Sequence, residues 1–144
     1  MLARTWIQDT YVKVHYSSPR KRGRAIFGDL VPYGEVWRTA ANEATEITLT
    51  GDVQVGGATL PAGTYSIFTI PGESEWTIMF NSSLGINGTV AYSEANDVLR
   101  VRVPAGPADA VHEAFVIEFE EADSHANMVL TWDRTRVAVA IAAF

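Results

Sequence analysis

The chain has 144 residues, 47% of them hydrophobic and 19% charged, with a formal net charge of -6 and no cysteine. That length and apolar content suit one domain, residues 1–144, built around a single core, and lack the polarity of a disordered chain. The acidic balance opposes general nucleic-acid binding. The missing thiols exclude disulfides, thiolate zinc sites and cysteine nucleophiles, and no apolar run approaches the roughly 20 residues of a membrane span.

The N-terminus shows no basic-then-apolar signal pattern. The opening segment TWIQDTYVKVHYSSP alternates, with Val12 and Val14 opposed to Tyr11, Lys13 and His15, which predicts a strand ending at Pro19. From Pro19 to Thr45 the alternation stops. Gly23, Gly28, Gly34 and the turn Pro32-Tyr33-Gly34 break this stretch, so it is expected to be irregular and either functional or tied down by its own side chains.

Period-2 alternation returns at Ile47 and Leu49, and Val53 and Val55 precede a Gly56-Gly57 pair that reads as a hairpin turn. In LPAGTYSIFTIP both faces are apolar, Tyr65 and Ile67 against Phe68 and Ile70, which predicts a central strand covered on both sides. Trp76, Ile78 and Phe80 form one face of its antiparallel neighbour. Residues 81–96 read as a second irregular segment with a short strand near Thr89 to Tyr92. Asp97 to Val103 is a strand, Pro104 to Ala110 a loop, and Phe115, Ile117 and Phe119 mark another strand closed at Asp123-Ser124. Met128 to Asp133, a tight turn, and Arg136 to Phe144 complete the chain. The run VAVAIAAF must be paired in the sheet or covered by a second copy, so a homo-oligomer through this strand is an open expectation. The sum is an all-β fold of about nine or ten short strands, a single antiparallel β-sandwich or jelly-roll-like barrel.

Chemistry concentrates in the irregular stretch. Four of the 11 basic residues, Arg20, Lys21, Arg22 and Arg24, fall together there. They make either a pocket for an anionic group or a solvated loop with Arg24 turned inward to a carboxylate. Trp37 to Thr45 adds Arg38, Asn42, Glu43 and two threonine hydroxyls beside the aromatic Tyr33 and Trp37. Such a mixture suits a small polar or sugar-like ligand, with aromatic faces for stacking and a few aimed hydrogen bonds. The same residues could instead form an Arg38–Glu43 ion pair that closes the end of a sandwich. His15 leads into this region and could act as a base with Glu43, Glu46 or Asp29, or be a half-exposed strand histidine. No ligand-spaced histidine pair, phosphate-loop pattern or nucleophile elbow is present around Ser17-Ser18, so neither a metal nor a cofactor is expected.

The runs RGRAIFGDLVPYGEVWRTAANEATEITL, LPAGTYSIFTIP, EWTIMFN and DVLRV resemble the bacterial family called domain of unknown function 2911, DUF2911, from the first strand to the final RTRVAVAI. That family commonly reads RTGANEAT where this chain has Ala40, and its usual Trp-Gly is replaced by Ile86-Asn87-Gly88. The resemblance implies an all-β domain, often behind an export signal, and no activity. An exported or periplasmic setting is therefore expected. Two functions stay open. One is a binding module holding a small polar or anionic ligand through Arg24, Tyr33, Trp37, Arg38, Asn42, Glu43 and His15. The other is a small β-barrel enzyme using the same cleft for acid–base chemistry on an anionic substrate.

Overall fold

Alternating burial in Leu2–Ile7 puts Ala3, Thr5 and Ile7 inside, and in Thr10–His15 it puts Val12 and Val14 inside. In the computed structural model, which describes residues 1–144, these are two strands, β1 and β2, and not the single strand predicted. The chain reverses at Gln8 and Asp9, where Gln8 takes a φ of 52°, and Trp6 lies opposite Tyr11. This turn uses neither glycine nor proline, and Asp9 is its one turn-favouring residue, too weak a mark to interrupt the alternation.

The remaining strands are β3 (Thr45–Leu49), β4 (Val53–Val55), β5 (Ala58–Leu60), β6 (Gly63–Ile70), β7 (Glu75–Asn81), β8 (Asp97–Glu121) and β9 (His125–Ala142). They form one antiparallel sheet in the order β1-β2-β3-β6-β7-β8-β9-β4-β5, which is open and not closed into a barrel. No helix is long and apolar enough to cross a membrane. The Gly56-Gly57 hairpin is present, both glycines at positive φ (59° and 80°), the geometry a two-residue turn between twisted strands requires.

Two predicted breaks are not breaks. Pro104 to Ala110, expected as a loop, lies inside the 25-residue β8. Residues 97–104 pair with β7 and the part from Ala105 onward pairs with β9, with register shifts between Pro107 and His112 and again between His112 and Val116. Prolines are tolerated in a strand where the ladder is interrupted: Pro104 is the last residue paired with β7, and Pro107 borders the first register shift against β9. The tight turn expected after Asp133 is likewise a local kink in β9, with Asp133 at φ 54°. The short strand expected at Thr89 to Tyr92 is absent. The chain turns there, and a single 3-10 turn follows at Glu94–Asn96.

The bend at β8 lays the two halves of the sheet over one another. A core of 29 buried residues runs between them, including Val12, Ile47, Ile67, Phe80, Ile117, Leu130 and Ile141. Thr5 on β1 donates to the Glu121 carboxylate at the end of β8, and the Tyr16 hydroxyl donates to the Ile117 carbonyl, tying the layers across the core. On the other side of β6 and β7, Phe68 and Met79 pack with Ala44 under Val36, Ile86 and Tyr92. Both faces of β6 are thus covered, the outer one by the irregular segments. The apolar C-terminal strand finds its partners within the chain, Val137 beside Ala105 and Ile141 beside Val55.

Candidate functional site

Residues 19–45 cross one end of this double layer and are pinned to it at intervals. Arg20 bridges to Ala114 on β8, Trp37 to Thr69 on β6, and Glu43 to Asn87 in the second irregular segment. The Trp37 amide donates to the Thr69 carbonyl at 2.7 Å, and the Trp37 carbonyl accepts from the Thr69 amide at 3.0 Å. These bridges take the place of a regular ladder, which is how an irregular segment satisfies its backbone while staying in one shape.

The basic run is largely engaged with its own turn. Arg24 donates from Nε to the Lys21 carbonyl (2.8 Å) and from Nη2 to the Arg20 carbonyl (2.7 Å), and so turns to backbone and not to a carboxylate. Lys21 pairs with Asp133 at 2.9 Å. Gly28, at φ 87°, lies under Tyr33, whose ring would stand 2.6 Å from a Cβ there, so only glycine fits beneath the tyrosine. Tyr33 is 44% exposed and braces this turn.

Trp37 enters an aromatic cluster. Its ring stacks on Trp132 (6.1 Å between centroids, 14° between planes) and meets Phe27, Trp76 and Phe115 edge to face. The next two residues are held tightly. Thr39 is fully buried at φ 64°, its hydroxyl reaches the Thr69 hydroxyl (3.2 Å), and its carbonyl accepts from the Thr45 hydroxyl (2.6 Å). The residues in left-handed backbone are Thr39 and Asn42, not Ala40, so alanine at 40 meets no strain where the family commonly has glycine.

Arg38 stands between Trp37 and Thr39. It takes part in none of the ion pairs, so the Arg38–Glu43 pair does not form. Its Nε–H is buried and has no hydrogen-bond partner. Gly88 lies beside the guanidinium, where a Cβ would stand 3.6 Å from Arg38 Nη1, an ordinary contact distance.

A cavity of about 390 Å³ opens beside this arginine. Trp37, Trp132, Leu30, Val31 and Val36 supply its apolar wall, and Arg24, Glu35, Arg38 and Thr89 its polar groups. Of the residues singled out from the sequence, Arg24, Trp37 and Arg38 therefore meet at one cavity. His15, Asn42 and Glu43 line a separate depression of about 170 Å³, where all three are exposed, and Tyr33 lines neither. Trp132, Glu35 and Thr89 belong to the cavity without having been expected there. Alternation puts Met128, Leu130 and Trp132 on one face of β9, but a core residue and a cavity wall look alike in that pattern.

Thr89 is held in place by a polar network at the root of its segment. The Asp97 carboxylate accepts from Asn81 Nδ2 (2.8 Å), the Tyr92 hydroxyl (2.6 Å) and Arg100 Nε (2.9 Å). Burial raises the Tyr92 phenol above its ordinary value and the bond to Asp97 adds to the rise, while the Arg100 guanidinium opposes it. No three His, Asp or Glu side chains converge as metal ligands. The arrangement can seat an apolar body against the tryptophans and offer a buried donor to a polar group. The family model described as a protein of unknown function, DUF2911, matches residues 2–141. No curated protein and no solved structure matches the chain.

Proposed function

The chain belongs to the DUF2911 family, and from the geometry of its own cavity we propose that it is a binding module for a small molecule with one polar and one apolar side. The observation that carries this is the joining, at a single cavity of about 390 Å³, of the Trp37–Trp132 wall to the Arg38 guanidinium. That volume lies in the range of small-ligand sites, and a mostly apolar lining with few aimed polar groups is their usual chemistry. Acid–base catalysis has less support. His15 and Glu43, its candidate carriers, are exposed at the other depression, away from the aromatic wall. Self-association through the C-terminal strand would have to use its outer side, the exposed Ala140 and Phe144 with the half-buried Ala138 and Ala142, because Val137, Val139 and Ile141 are buried in the core. An exported or periplasmic setting belongs to the same proposal, supported by the resemblance alone.

The test is a thermal-shift and tryptophan-fluorescence screen of a diverse small-molecule library on the whole chain, repeated on Ala41→Leu, which narrows the cavity. Ligands are expected to raise the melting temperature of the parent, a concentration about 100 times Kd giving about 2.7 kcal/mol, and to lose most of that effect on the variant. Ligands that stabilise parent and variant equally would place binding elsewhere. A library without any binder would remove the proposal.

A further inference from the structure

We propose that the group recognised in this cavity is a single carboxylate carried on a flat or branched apolar body, with the Arg38 guanidinium as its anchor. The inference rests on the binding reading above and narrows it to a chemical class.

The first support is the unpartnered Nε–H of Arg38. A buried N–H without an acceptor is costly, and arginine is the side chain whose Nε and Nη protons form a planar fork matching two carboxylate oxygens. The backbone on either side presets that fork. Trp37 is bonded to Thr69, the Arg38 carbonyl accepts from the Thr45 amide (3.2 Å), and Thr39 is locked through two hydroxyl contacts.

The second support is the charge balance of the wall. Arg24 and Arg38 stand against the one carboxylate Glu35. Arg24 already has Nε and Nη2 on carbonyl oxygens. Two guanidinium charges against one carboxylate leave a single net positive charge, which balances one negative charge, whereas a phosphate dianion would bring a second charge toward Glu35 with nothing to meet it. The third support is the shortage of polar partners. Thr89 is the only hydroxyl on the wall, so a sugar would leave most of its hydroxyls unpaired, while an apolar body would lie against Val31, Val36 and the tryptophans.

The experiment is isothermal titration of the whole chain with matched pairs, 3-phenylpropanoate against 3-phenylpropanamide and indole-3-acetate against indole-3-acetamide, with phenyl phosphate as a third arm. Each acid is expected to bind roughly tenfold or more tightly than its amide, and more tightly than phenyl phosphate, with affinity falling as salt rises. Arg38→Gln should remove that preference, and Arg38→Lys, which keeps the charge but loses the fork, should weaken it, while the amides keep their affinity. If the amides bind as well as the acids, or if Arg38→Gln leaves the preference intact, the carboxylate assignment is overturned and the binding reading stands. If no acid binds while neutral library members do, the outcome is the same. If nothing binds at all, both fall together.

Discussion

Thr39 holds the least comfortable backbone beside the cavity: a β-branched residue at φ 64°, fully buried, between the tryptophan and the loop that returns to β3. Left-handed backbone at such a residue costs about 1–3 kcal/mol and persists only where the surroundings overdetermine it. Here the surroundings are the Thr69 hydroxyl, the Trp37 carbonyl and the Thr45 hydroxyl. Thr39→Ala keeps the strained conformation and removes the hydroxyl, whereas Thr39→Gly removes both. We therefore expect Thr39→Ala to lose about 1–2 kcal/mol in urea denaturation, and Thr39→Gly to be more stable than Thr39→Ala by about 1 kcal/mol. A glycine variant less stable than the alanine variant would contradict the left-handed assignment. The polar and aromatic residue types of this stretch were legible in the sequence. Which of them meet was not, because Arg38, Asn42 and Glu43 lie within six positions yet the left-handed turns at Thr39 and Asn42 send their side chains to different depressions.

The segment between β7 and β8 has little regular structure and depends on one carboxylate. Asp97 is 5% exposed at its side chain and gathers Asn81, Tyr92 and Arg100. Asp97→Ala should cost about 2–3 kcal/mol, since it leaves buried donors with fewer acceptors. Backbone amides 83–92 should exchange faster in deuterium while those of β6 and β7 do not change. Uniform loss of protection across the sheet would show that the network supports the whole fold and not this segment. The same network sets an alkaline limit. The Tyr92 phenol lies above its ordinary value of 10.0 in the folded chain, chiefly through burial, and Tyr65 is raised likewise by burial and by the charge of Asp52. A folded phenol held protonated contributes its full stability below the unfolded value. As pH climbs past about 10, the unfolded chain ionises first and that contribution is lost through the folded value. Absorbance at 295 nm should accordingly show a late deprotonation step from Tyr65 and Tyr92 that loses one phenol in Tyr92→Phe. The melting temperature should fall from about pH 10 upward.

At the scale of the molecule, β8 and β9 do what no local pattern announced. One strand serves both halves of the sheet, and the next carries the β4–β5 hairpin at its far end through Val55 and Ile141. Ile141 is fully buried, so Ile141→Ala should lower stability by about 2–4 kcal/mol. Ala140→Ser, on the exposed side of the same strand, should stay within about 0.5 kcal/mol. Equal effects in urea denaturation would mean that the strand is not seated as described. Gly56 reinforces this junction, since a Cβ there would stand 2.6 Å from Val101 of β8.

Alternation, glycine pairs and the doubly apolar run at Tyr65 to Ile70 determined on their own an antiparallel all-β domain with a covered central strand and an irregular polar insert. These are short-range properties, set by the side-chain period and by which residues accept a turn. Only the tertiary structure decided that Pro104 and Pro107 lie within a strand and not in a loop, and that Asp133 is a kink and not a turn, because pairing and bulges depend on the neighbouring strand's register. It alone also brought Trp132 and Thr89, each more than 40 residues away in sequence, to the cavity beside Arg38. Cavities form where distant segments fail to fill the space between them, and no window of sequence contains that geometry.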